Sequence, residues 1–204
     1  MSVSSLMIGV AASAASTRQV LIAGVAGLVA GALSMAAGEF VSVSSQRDAE
    51  DADIDLEKWE LDDNPAGELR ELALSYEKRG LDPELARRVA EELSAKNTLD
   101  AHLHDELGLT QGGRARPVQA ALISAASFAS LALVPIAALL LAPERQRILL
   151  IAAAALLSLG CMGALGGHVS GAPRTRAALR VLIGGGLAMA VSALVGRLFG
   201  VVQG

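Results

Sequence analysis

Residues 20–43 read VLIAGVAGLVAGALSMAAGEFVSV. Coiled as an α-helix, this run is about 36 Å long, enough to cross a hydrocarbon layer of about 30 Å. Its only charge is Glu39, and Gly24, Gly27, Gly31 and Gly38 leave one side almost bare for another helix to approach. On the C-terminal side, three more apolar stretches of similar length follow at about 117–142, 148–167 and 178–201. Pro135 lies inside the first of these and is expected to kink it. Pro143 and the charged stretch Glu144-Arg145-Gln146-Arg147, with three charges, make a tight turn, and residues 166–174 form a second link. On the N-terminal side, Val3 to Ala15 is apolar but reaches only about 20 Å as a helix, so it reads as part of a span. The expectation is an all-α integral membrane protein with four full transmembrane helices and a partial first one. Three sections follow: 1–45, 46–116 and 117–204.

The middle section differs in kind. Of the chain's 21 acids, nineteen fall in 46–116, with ten of its 17 bases, so this insert carries −9 while the rest carries +5. Its pattern is helical. Asn64-Pro65 and Asp82-Pro83 each set a capping side chain before a proline at the first helical position, and Gly80 stops the helix between them. Helices are expected at 46–61, 65–79, 83–96 and 98–107, with Gly108 and Gly112-Gly113 closing the insert. The chain as a whole is 52% apolar but only 2% aromatic, with a mean hydropathy of +0.47, which suits Ala-, Leu- and Gly-mediated packing in lipid better than a water-soluble core.

Several function classes fall away. An acidic insert argues against nucleic acid and for a cationic partner. Cys161 is single and cannot close an intramolecular disulfide. Gly184-Gly185-Gly186 lies in an apolar span without the Lys-Ser/Thr of a phosphate loop and reads as a helix contact. No Ser-His-Asp arrangement is suggested, so catalysis is not expected. The N-terminus lacks a basic region, so no cleaved signal peptide is expected. Lys and Arg concentrate in the insert and in the 168–176 link, which places both on the cytosolic side by the positive-inside rule.

Three groups of residues carry metal chemistry. Met35 and Glu39 are one turn apart on the same helix, pairing a soft thioether with a hard carboxylate that suits a first-row divalent ion in transit. The alternative is a packed methionine beside a snorkelling acid. Glu57/Glu60 and Glu68/Glu71 are two Glu-x-x-Glu pairs, each with both carboxylates on one helix face. Facing helices of this kind surround a metal with oxygens, although single pairs also occur on solvated helices. His102 and Glu106 are i, i+4 in the last insert helix, with His104 between them, and offer imidazole and carboxylate together. A solvated helix end is the competing reading. Trp59 and Tyr76 are expected to pack between insert helices.

The stretch Gly31-Ala-Leu-Ser-Met-Ala-Ala-Gly-Glu-Phe-Val-Ser-Val-Ser-Ser-Gln46 resembles the second-helix signature of the vacuolar iron transporter family. The similarity continues through residues 72–81, 90–93 and 105–108 and into the three terminal spans, covering about residues 5–204. The resemblance implies a homodimeric five-span transporter of Fe²⁺, sometimes Mn²⁺, that exports the ion from the cytosol by proton exchange and needs no fixed cofactor. It also implies a cytosolic insert binding metal through Glu57, Glu60, Glu68, Glu71 and Glu106, and a pathway methionine at Met35. His102-Leu103 stands where some members have consecutive methionines, so His102 replaces a softer ligand. The family's first helix opens with an Asn-Asp-Gly-type motif whose aspartate lies in the ion path, and the sequence begins after that motif. The chain as written is therefore expected to transport poorly while still binding metal. The alternative function is a metal-binding or sensing membrane protein that does not transport, and a third reading is a membrane protein whose acidic insert docks a partner. The Ala/Arg/Gly-rich usage points to a bacterial inner membrane.

Overall fold

A computed structural model describes residues 1–109 and 113–202. Gly112, read as one of the glycines closing the insert, lies outside the described residues. The elements in order are α1 (Ser2–Ala12), α2 (Thr17–Asp63), α3 (Pro65–Lys78), α4 (Pro83–Asp105), α5 (Pro117–Leu141), a 3₁₀ turn (Glu144–Gln146), α6 (Arg147–Val169) and α7 (Arg174–Val202). Among the described residues every regular element is helical, and four helices are long and apolar enough to cross a membrane. The chain divides into two compact units, one of residues 1–38 and 121–204 and one of residues 39–120.

In the first unit the short α1 is the most enclosed element. Val3, Met7, Ile8 and Ala11 are buried with Val20 of α2, Ala132, Ile136 and Leu139 of α5, Ile151 and Ala155 of α6 and Met189 of α7. The long helices instead turn large apolar side chains outward, Leu33, Leu122, Leu149, Leu157 and Leu187 among them. Such exposure is costly in water and neutral in lipid. Ala14 takes a left-handed φ of 64° in the turn after α1. Arg147 bridges that corner, donating to the Ala15 carbonyl at 2.6 Å and to the Thr17 hydroxyl at 3.4 Å.

Glycines set how closely these helices meet. Gly163 and Gly167 of α6 lie against the backbone of Ala178 and Arg174 in α7. Gly24, Gly27 and Gly31 of α2 receive Met7, Leu6 and Phe128 respectively. These faces are thus filled within one chain, and of the four α2 glycines only Gly38 has open space beside it. In the Gly184–Gly186 run only Gly185 makes a helix contact, with Leu159 and Met1. Helix α5 runs through Pro135 as one element.

The second unit departs from the expected boundaries in one respect. The second span and the first insert helix are a single 47-residue helix, because no proline or glycine interrupts residues 39–63. Asn64 ends α2 with φ −140° and ψ 63°, since the following proline disfavours the helical region, and its side chain accepts from the Gly67 N–H at 3.1 Å. Asp82 caps α4 through the Glu84 N–H at 3.0 Å, after Gly80 has reversed the chain at φ +99°. Asn97 adopts extended backbone inside α4, so 83–96 and 98–105 are two helical stretches across a kink, as the sequence pattern suggested. Leu72, Ala73 and Ala90 form a small α3–α4 core with Leu69, Tyr76 and Ala101 around it. Trp59 does not join it: this side chain is 60% exposed on α2, and the core is built from α3 and α4 alone.

The tightest approach is between α1 and α7, where a Cβ at Gly196 would fall on the Gly9 carbonyl. Gly196→Ala is therefore expected to force the two helices apart and destabilise the protein by about 1–3 kcal/mol, a Tm loss of roughly 2–10 °C at this chain length. Gly186→Ala on the same helix has nothing within 4 Å and should not lower the Tm, because alanine is the better helix former. Thermal unfolding of both variants in one detergent checks the pair.

Candidate metal centre

The site is assembled from three helices of the insert. Glu57 comes from α2, Glu68 from the first turn of α3, and His102 and Glu106 from the end of α4. The ends of α3 and α4 are tied by a polar clamp. The Tyr76 hydroxyl donates to the Asp105 carboxylate, and Arg79 reaches the same group at 2.9 Å while lying over the Tyr76 ring. Burial and the Asp105 hydrogen bond push the Tyr76 hydroxyl up to about 12, so it stays a donor at any physiological pH. The return segment is fastened in the same unit, where Glu50 accepts the Ala115 N–H at 3.0 Å and Asp51 pairs with Arg114 at 2.7 Å.

At the centre, His102 is fully buried and Glu57 is 5% exposed. His102 Nδ1 lies 2.9 Å from Glu57 Oε1 and 3.2 Å from Glu106 Oε1. The separations are those of ion pairs, yet neither ring nitrogen and neither of these oxygens has a partner with hydrogen-bond geometry. Ligand atoms of Glu57, Glu68 and His102 all lie within 4.8 Å of one another. Buried polar atoms are almost always satisfied, so several unsatisfied lone-pair atoms converging on one space form the kind of cradle that a cation fills.

The electrostatics agree. Burial, followed by repulsion from Glu68, Glu60 and Glu71, raises the Glu57 carboxyl above its ordinary range. Glu68 is raised by burial and then by Glu71 and Glu60. Glu106 is pushed up to about 7, by burial first and then by Glu57, Glu71, Glu68 and Glu60. Burial lowers His102, which favours a neutral imidazole with a free lone pair. Three acids forced toward protonation around an uncharged imidazole would all gain from a divalent cation.

Not every sequence candidate reaches this point. Glu60 and Glu71 stand outside the converging set and act on it through their charge. His104 is exposed and lies 3.3 Å from Asp105, turned away from the cluster. In the membrane unit, Met35 lines a cavity of about 240 Å³ with Ser127, Phe128, Leu131, Ser158 and Met162. Met162 was not singled out in the sequence; a second thioether in an apolar span looks like packing until the helices are assembled. Glu39 is exposed on α2.

Comparison with known proteins bears on the whole chain. The family described as the VIT family matches residues 1–197. A protein named vacuolar iron transporter from Acanthamoeba castellanii is 47% identical over 193 residues, covering 94% of this chain and 74% of its own. Vacuolar iron transporter homolog 1 of Oryza sativa is 34% identical over 200 residues, covering 98% of this chain and 68% of its own. VIT-like transporter 1b of Glycine max is 34% identical over 200 residues, covering 98% and 70%. Similarity of this extent, joined to four membrane-length helices and a buried carboxylate–imidazole cluster, makes the chain a multi-pass membrane protein that belongs to the VIT family, the vacuolar iron transporter family.

Proposed function

We propose that this protein carries Fe²⁺, with Mn²⁺ as a second cargo, out of the cytosol in exchange for protons, and that it works as a homodimer in a bacterial inner membrane with residues 46–116 on the cytosolic side. The supporting observation is the convergence of Glu57, Glu68, His102 and Glu106, with buried atoms of Glu57, His102 and Glu106 lacking a hydrogen-bond partner, in a chain whose relatives are named for iron transport. The insert collects the ion: its net charge of −9 draws cations, and the buried cluster replaces part of the hydration shell with three carboxylates and one imidazole. Met35 and Met162, lining the membrane-unit cavity, offer polarisable sulfurs to an ion stripped of water, and Glu39 supplies a carboxylate on the same helix as Met35. Raised carboxyls must lose their protons when metal binds, so capture of the ion by the insert releases protons.

Flux is measured in proteoliposomes. Fe²⁺ uptake should require an acidic lumen and collapse when a protonophore dissipates the gradient; uptake independent of the gradient rules out exchange. For binding, the purified chain in detergent should bind Fe²⁺ in anaerobic calorimetry, and the Glu57→Ala/Glu68→Ala variant should bind at least about tenfold more weakly, a loss of 1.4 kcal/mol or more. Unchanged affinity in a variant whose circular dichroism matches the parent would show that the ion sits elsewhere.

The pH dependence has a definite sign. Glu106 in the folded protein holds its proton up to about 7, and Glu57 and Glu68 are raised in the same direction. Metal competes with those protons, so affinity should be full above pH 7 and fall as pH drops through it, by roughly tenfold per pH unit for each proton displaced. Glu106→Gln should move the onset of that loss to lower pH. Calorimetry at pH 5.5, 6.5 and 7.5 reads both effects.

A further inference from the structure

We infer that His102 sets which cations the insert accepts, admitting borderline first-row ions such as Fe²⁺, Co²⁺ and Zn²⁺ and discriminating against Mg²⁺ and Ca²⁺. The inference rests on the metal-binding role proposed for the insert and adds the class of ion. Charge alone cannot supply that choice, because these ions share one charge and an acidic surface draws them all. Carboxylate oxygens alone cannot supply it either, since oxygen-only sites are the usual home of Mg²⁺ and Ca²⁺. The one nitrogen donor in the converging set is His102. It is also the most deeply enclosed member, fully buried, with both ring nitrogens lacking a hydrogen-bond partner.

Geometry separates this from a core histidine. A packed neutral imidazole places its N–H on an acceptor and its lone pair on a donor. Here Nδ1 faces Glu57 Oε1 at 2.9 Å and Glu106 Oε1 at 3.2 Å, and neither approach has hydrogen-bond alignment. Nitrogen and oxygens therefore converge on a shared space with no hydrogen bond aligned between them, and a cation placed there would be held by all three. Glu106 is one helical turn from His102, so the imidazole and one carboxylate are delivered as a preset pair, with Glu57 and Glu68 arriving from two other helices. A donor set of one imidazole and several carboxylates follows the order in which affinity climbs from Mn²⁺ through Fe²⁺ and Co²⁺, while a hard ion gains little from the nitrogen.

The test uses the full-length chain in detergent with His104→Gln and His168→Gln, which leaves His102 as the only imidazole of the chain's three. His104 and His168 lie outside the converging set, so this background should bind metal as the parent does. Co²⁺ and Mg²⁺ affinities are then compared with and without His102→Gln. The expected result is a Co²⁺ affinity about tenfold lower in the His102→Gln form with Mg²⁺ affinity unchanged. Equal selectivity in the two forms overturns the inference. A second measurement needs no variant at His102: Mn²⁺ bound to the background protein should show imidazole nitrogen modulation in its electron spin echo, and its absence overturns the inference even if His102→Gln misfolds. Failure of the parent chain to bind any divalent ion would instead overturn the insert's proposed role, and this inference with it. Binding that ignores His102 removes only the inference.

Discussion

Hydrocarbon offers no partner for a peptide N–H or C=O, so a chain that enters it must satisfy every backbone group from within. The membrane unit follows from that constraint. Four long helices meet it by length, and α1 meets it by being enclosed among them. Lipid gives no hydrophobic push of helix against helix, so contact has to come from shape. The glycines of α2, α6 and α7 supply it by letting side chains or backbone of a neighbour into the place of a missing Cβ. The α1–α2 corner shows the constraint at its sharpest. Ala14 is left-handed there, and the Arg147 guanidinium supplies a partner for the Ala15 carbonyl that no helix satisfies.

The insert solves the opposite problem. It has water for its backbone but few apolar side chains, and its α3–α4 core is three small or medium residues with three more around them. Much of what holds it is polar and local: the Asn64 and Asp82 caps, the Tyr76–Asp105–Arg79 clamp and the Glu50–Ala115 tie. Against this modest framework stand carboxyls driven up in pKa by burial and mutual repulsion. A fold that keeps such a cluster has an internal charge problem, and a bound cation would resolve it.

How far the sequence could be read varied with the range of the interaction. Prolines 65 and 83, Gly80 and Asn97 act on their immediate neighbours, and the breaks they cause stand where the pattern placed them. The His102–Glu106 pair is likewise local, one turn of one helix. Continuity of α2 from span to insert was missed because a change from apolar to acidic composition looks like a boundary, although backbone hydrogen bonding does not register it. Which member of each Glu-x-x-Glu pair meets the histidine was not legible. That depends on how three helices are rotated about their axes, and Glu57 and Glu68 rather than Glu60 and Glu71 converge. The glycine face of α2 was visible, but not that Met7, Leu6 and Phe128 of the same chain fill it.

The meeting of Gly9 with Gly196 also has a consequence for biogenesis. About 190 residues separate the two glycines, so α1 has its closest neighbour in a helix made much later. At roughly 5–20 residues per second, synthesis leaves α1 without that neighbour for on the order of 10–40 seconds. During that interval the α1 face carrying Ser5 and Gly9 lacks Ser192 and Gly196, the residues it lies against. The α1–α7 seam therefore closes only once α7 is in place, after the helices between them have been made.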